Sequence, residues 1–225
     1  MQWLLRRSPA NGAACAQVAF TLVELFAVIA VIAILTGILI PTLGAARVAA
    51  LKGRTRVQFG QWAAAFEGFR QEYGYYPSVG VNGKLATAAD ALRFVRTISG
   101  RNPDGSSVVD PADLNGNLKR ICFCSFTEAD FFDPDRPGIG GDFSGNELIC
   151  DAFGNLEIGV LVDRNGDGFI KAADDGPVPS VRGAGSAESF APDDSDLPAA
   201  GIRAGVVFYS AGRGTSQTDL VLSWK

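Results

Sequence analysis

From Leu25 to Ala46 the chain carries no charged side chain and consists mainly of Ala, Val, Ile and Leu. A helix needs about 20 such residues to cross the hydrocarbon of a bilayer, so this run is long enough to span one. A single carboxylate, Glu24, stands at its margin. Charge beside bilayer-length apolar sequence is costly, and a residue kept there usually serves a purpose. One purpose is local. Thr21 lies three residues earlier, and Thr-x-x-Glu is a capping box that satisfies the first amides of a helix.

Apolar positions continue past the run at Val48, Leu51, Thr55, Phe59, Trp62, Phe66, Phe69 and Tyr73. Steps of three and four residues draw one stripe along a helix. The spacing predicts one helix from about Phe20 to Tyr73, roughly 80 Å long at 1.5 Å per residue. Its first half is apolar all round. Its second half is amphipathic and must pack on something, with the C-terminal part of the chain as the partner. Gly37 and Pro41 weaken the helix midway, and Gly74 with Pro77 ends it.

Downstream, Thr87 to Asp90 reads as a second capping box, opening a short helix that stops near Gly100. Residues 101–117 are rich in Gly, Pro, Asn and Asp, hence a loop. Strand-like runs follow at Leu118–Phe126, Glu147–Cys150, Leu156–Val162, Gly205–Tyr209 and Asp219–Trp224. The segments 151–155 and 211–214 carry turn residues. The Pro- and Gly-rich segment 176–198 reads as an irregular surface loop. The expected fold class is α+β, a long N-terminal helix packed on a small antiparallel sheet domain.

With 225 residues the chain has room for one anchor and one modest globular domain. Without residues 1–19 it holds 18 basic and 24 acidic side chains, a net charge of −6. That balance argues against a nucleic-acid partner, which wants a basic face. The chain has no His. The commonest general base and metal ligand is therefore missing. With no nucleophile elbow or carboxylate pair either, no enzyme is expected.

Asp163, Asn165, Asp167, Phe169 and Asp174 fall at positions 1, 3, 5, 7 and 12 of a calcium loop, with Gly168 at position 6. Such loops converge oxygen ligands on one hard cation, use the Gly for a sharp turn, and take the position 7 ligand from the backbone carbonyl. Lys171 occupies position 9 and contributes no ligand. The plainer alternative is an Asn-Gly-Asp-Gly hairpin turn with incidental acids.

The N-terminal block of Arg6, Arg7, Ala19, Phe20, Thr21, Leu22 and Glu24 resembles the prepilin-type leader and helix start of type IV pilins. The pseudopilins of type II secretion share it. Ala19 stands where the family most often has Gly. The likeness extends to E-Y-G-Y-Y-P at 72–77, D-A-F-G-N at 151–155, F-Y-S-A-G-R-G at 208–214 and D-L-V-L-S-W-K at 219–225, and is closest to the major pseudopilin. The resemblance implies a leader over residues 1–19, removed by a prepilin peptidase between Ala19 and Phe20. It also implies N-methylation of Phe20, a transmembrane and filament-core helix over 20–46, its amphipathic continuation over 47–76, and a globular domain over 77–225. It implies a structural subunit of a pseudopilus, assembled as a helical homo-oligomer with other pseudopilins on an inner-membrane platform, its C-terminal domain in the periplasm. Glu24 would then pair with the Phe20 amine of a neighbouring subunit. Structural calcium belongs to the same family picture. The rival expectations are a type IV pilin of a surface fibre, or a single-pass membrane-anchored module that binds calcium or adheres. In such an oxidising compartment Cys122, Cys124 and Cys150 leave an odd count once Cys15 goes with the leader. Either Cys150 bridges Cys122 or Cys124, or all three are packed thiols.

Overall fold

The computed structural model describes residues 21–79, 83–132 and 148–225. The leader, Ala19, Phe20 and the start of the run at Glu147 lie outside the described residues. The chain divides into two compact units, Met1–Ala45 and Ala46–Lys225.

Helix α1 covers Leu22–Tyr73, 52 residues, and stays helical through positions 37 and 41. The hydroxyls in its apolar part are satisfied within the helix. Thr36 Oγ1 donates to Ile32 O, and Thr42 Oγ1 to Leu39 O at 2.7 Å. This local bonding lets a polar side chain sit in apolar surroundings. Gly74, with φ of 82°, ends the helix in the left-handed region as expected. Among the described residues one helix, α1, is long and apolar enough to cross a membrane.

Helix α2, Ala88–Ser99, has the predicted ends. Thr87 Oγ1 accepts from the Asp90 amide at 3.2 Å, and Gly100 adopts φ of 68° at the other end. Six short strands are formed among the described residues: β1 Lys84–Leu85, β2 Ile158–Val162, β3 Val181–Arg182, β4 Ser189–Phe190, β5 Val206–Ser210 and β6 Val221–Leu222. The main sheet has the order β1-β2-β5-β6, and all its pairs are antiparallel. The fold is α+β, a long N-terminal helix and a C-terminal antiparallel sheet, the pilin-like layout expected.

Within the second unit the sheet is buried on both faces. Ile158, Val160, Val206 and Phe208 meet Phe59, Trp62 and Phe66 of α1 and Phe94, Val95 and Ile98 of α2. Leu161, Val207 and Tyr209 point the other way, onto Ile170, Val181, Leu197, Leu220 and Leu222. Successive strand residues alternate between the two cores, as a pleated strand requires. Gly159 pairs with Tyr209, and a Cβ at Gly159 would lie 2.1 Å from the Tyr209 ring. The absent side chain makes the seat for that ring, whose hydroxyl donates to Pro179 O at 2.5 Å.

Two expected elements are corrected. Residues 118–126 form no strand: Arg120 turns back with φ of 56°, and the Phe123 amide donates to Ile98 O at 2.9 Å. Phe123, Cys124 and Phe126 pack partly buried against the core from an irregular segment, which alternation alone does not distinguish from a strand. Residues 176–198 are not wholly irregular, because β3 and β4 pair there as a small hairpin. Of the run ending at Cys150, the described part makes a single bridge, Phe131 with Ile149.

Candidate functional site

Two places carry the residues singled out from the sequence: the start of α1 and the loop after β2.

At the start of α1 the capping box is formed. The Thr21 amide and hydroxyl both donate to Glu24 Oε2 at 2.8 Å, and the Glu24 amide donates to Thr21 Oγ1 at 3.2 Å. Glu24 is exposed. From Leu22 to Leu43 the large apolar side chains are all exposed, for example Ile34 at 66% and Ile40 at 71%. The cap accounts for one carboxylate oxygen, and Oε1 takes no hydrogen bond among the described residues.

The loop after β2 begins at Asp163, which is 3% exposed. Its Oδ1 accepts from the Gly166 amide at 2.7 Å and its Oδ2 from the Gly168 amide at 2.9 Å. Gly166 and Gly168 have φ of 75° and 84°, values that Gly reaches without strain. Asn165 Oδ1 accepts from the Asp167 amide, and Asp167 Oδ1 from the Phe169 amide, both at 2.8 Å. Two Asx turns therefore follow one another at Asn165 and Asp167, while Asp163 ties the amides three and five residues on.

The far side of the loop differs from the calcium reading. The Lys171 ammonium lies 2.6 Å from Asp167 Oδ2 and 3.6 Å from Asp174 Oδ2, bridging two of the expected ligands. It holds the Asp167 carboxyl below the usual carboxylate range and is itself held above the usual lysine value. The buried acid that closes the loop is Asp175, one residue beyond the expected place. Its Oδ1 accepts from the Arg164 amide and its Oδ2 from the Lys171 amide, both at 2.8 Å. Sequence reasoning missed Asp175, since loop spacing selects Asp174. The only cue was the doubled Asp. Among the described residues no three acids are grouped to hold a metal ion. The expected ligands are thus tied to backbone amides in the first half of the loop and to Lys171 in the second.

Of the two alternatives for the cysteines, the bridge from Cys150 to Cys122 or Cys124 is not formed; all three are free thiols. Cys150 is buried and Cys122 exposed. Burial pushes the Cys150 thiol up to about 12 and the Cys124 thiol to about 11, so both stay protonated at neutral pH.

The turn 151–155 is fixed by Asp151, which is 1% exposed. It accepts from Ser210 Oγ at 2.6 Å, Asn155 Nδ2 at 2.8 Å, and the Phe153 and Asn155 amides at 2.9 Å. Burial pushes its carboxyl up, and these four donors oppose that shift.

No protein-family model matches the chain, and no curated protein or solved structure was found to match it.

The bonding pattern separates a folding role from a ligand role within the loop. In EDTA, Asp163→Ala is expected to destabilise the protein by about 1–3 kcal/mol, because two amides lose a buried acceptor. Asp174→Ala, which removes a half-exposed carboxylate, is expected to change stability by less than about 0.5 kcal/mol. Chemical unfolding of both variants measures the difference. Equal losses would mean that the amide bonds of Asp163 do not hold the loop.

Proposed function

We propose that this chain is a structural subunit of a pseudopilus of the type II secretion kind. It would be released from the inner membrane after removal of residues 1–19 and would assemble through its apolar helix. The observation that carries the reading is the join of an exposed apolar helix, opened by the Thr21–Glu24 box, to an α+β domain whose sheet packs on that helix's own continuation. The partners are further copies of the chain, related subunits, a prepilin peptidase and an inner-membrane platform. The globular domain lies in the periplasm.

In this reading Glu24 has two tasks, capping its own helix and pairing with the Phe20 amine of a neighbour. A buried pair of this kind fixes register more than it adds stability. Mass spectrometry of membrane-extracted protein is expected to show a chain beginning at methylated Phe20. An intact Met1 there would sink the family reading.

Substitution separates the two tasks of Glu24. Glu24→Gln keeps an acceptor for the Thr21 amide and removes the charge, whereas Glu24→Ala removes both. Cross-linking between neighbouring subunits in cells is expected to be lost in both variants. Assembly retained by Glu24→Gln would leave Glu24 as a helix cap only.

Calcium completes the proposal. Asp163, Asn165 and Asp167, with the Phe169 carbonyl and Asp174, would hold the ion once Lys171 has moved away. The ammonium then competes with the metal for Asp167 and Asp174. Lys171→Met keeps an apolar stem and deletes the competing charge, so it is expected to tighten calcium binding several-fold. Extracellular-type calcium sites bind at about 0.1–1 mM, which sets the range for the titration. An ion binding only the folded state adds about 2.7 kcal/mol at a hundredfold excess over Kd. A melting temperature indifferent to calcium in both the parent and Lys171→Met would remove the metal from the proposal.

A further inference from the structure

Between Glu24 and Glu67 the chain has no acid and four cations, Arg47, Lys52, Arg54 and Arg56. Lys52 is occupied: its Nζ donates to Thr218 O at 3.1 Å and lies 3.6 Å from Asp219. Arg47, Arg54 and Arg56 are exposed and have no hydrogen bond or ion pair among the described residues. The helical period sets Arg47 and Arg54 on one flank of the buried stripe of Thr55, Gln58 and Phe59, and Arg56 on the other. The free guanidiniums therefore stand on both sides of α1.

Arg47 directly follows the last residue of the apolar run, Ala46. If that run lies in hydrocarbon, covalent adjacency puts Arg47 in the headgroup zone. That zone is about 5–8 Å deep, the difference between the whole bilayer and its hydrocarbon core shared over two faces. Arg54 and Arg56 begin about 11–14 Å further along at 1.5 Å per residue. Helical side chains lean toward the helix N-terminus, here back toward the apolar run, and long Arg stems extend that reach.

We infer that Arg47, Arg54 and Arg56 form a site for the phosphates of anionic phospholipids on the far side of the membrane from the N-terminus. The occupant is lipid because the band adjoins a segment fit to lie in lipid, and because its charge has no ion-pair partner among the described residues. A guanidinium pairs with phosphate through two parallel hydrogen bonds. The site holds the subunit at a fixed depth, so extraction into any assembly must first break these contacts. The inference rests on the membrane-spanning reading of α1, but not on the identity of the assembly.

The test uses the full chain reconstituted in vesicles of phosphatidylcholine containing a minority of phosphatidylglycerol. Spin-labelled forms of the two lipids report their relative association with the protein. Each cation near an anionic surface is worth about a fivefold preference, so the parent is expected to select phosphatidylglycerol several-fold. The selectivity is expected to fall toward one in high salt and in the triple variant R47Q/R54Q/R56Q. Unchanged melting in phosphatidylcholine alone would show the variant folded. Equal association of both lipids with the parent, or selectivity retained in the triple variant, would overturn the site. Altered self-association of the variant in neutral vesicles, with lipid selectivity intact, would assign the band to a second copy instead. Failure of the parent to float with neutral vesicles would instead overturn the spanning reading itself.

Discussion

The contact between the second half of α1 and strand β5 is the interaction on which the globular unit depends. Trp62 meets Phe208 edge-on at 5.6 Å between ring centroids, and Phe66 meets the same ring at 5.5 Å. Phe94 of α2 closes on Trp62 at 5.0 Å. Such pairs add about 0.5–1.5 kcal/mol each beyond the area they bury. Phe208 sits in the middle of a strand paired on both sides, so the helix is fixed to the sheet's centre and not to its edge.

Polar ties set the position of that contact along the helix. Gln58 Nε2 donates to Asp130 Oδ1 at 2.9 Å and to Cys150 O at 3.0 Å, while Thr55 Oγ1 accepts the Ala152 amide at 3.2 Å. These groups are buried, and leaving one unpaired costs about 1–3 kcal/mol. A slip of α1 by one whole turn would break all three at once while keeping the same face of the helix toward the sheet. The aromatic stripe therefore supplies affinity and the buried amide and hydroxyl supply register. The Asp151 cluster continues this chain of bonds from the helix, through the turn at 151–155, to Ser210 at the end of β5.

The elements legible in the sequence were those whose signal is local. The stripe from Val48 to Tyr73, the Thr87 cap and the strands at 158–162 and 206–210 follow from side-chain period and backbone chemistry within a few residues. The misread segments took their shape from distant parts. Phe123 packs on Phe69 with centroids 5.6 Å apart, and the Ile98 carbonyl fixes its amide, so residues 118–126 are set by two helices rather than by a strand partner. The same division runs through the acidic loop. Asp163, Asn165 and Asp167 each bond an amide two to five residues on, which spacing reveals. The choice of Asp175 over Asp174 depends on how the chain returns past Arg164, and no spacing rule contains that. Lys171 was noted as a poor ligand, but its bridge to Asp167 and Asp174 needs the turn to bring them together.

The apolar half of α1 sets the terms for any function. It exposes fourteen large apolar side chains from Leu22 to Leu43. At about 1.5 kcal/mol or more for each one taken from water, their burial is worth on the order of 20 kcal/mol. A domain of this size is stable by only about 5–15 kcal/mol, so water is not a tolerable surrounding for this helix. Lipid and a sheath of like helices satisfy it almost equally, since both are apolar. In the proposed assembly, exchange between them is therefore nearly neutral for Leu, Ile and Val. The difference falls on the polar groups at the two margins. At one, Glu24 keeps a carboxylate oxygen available beyond its own cap, which in the proposed assembly a neighbour's amine would take. At the other, the inferred site on the arginines would favour the lipid phosphates they leave behind. In the proposed assembly, opposed preferences at the two ends of one apolar segment would make release from the membrane conditional on a neighbour.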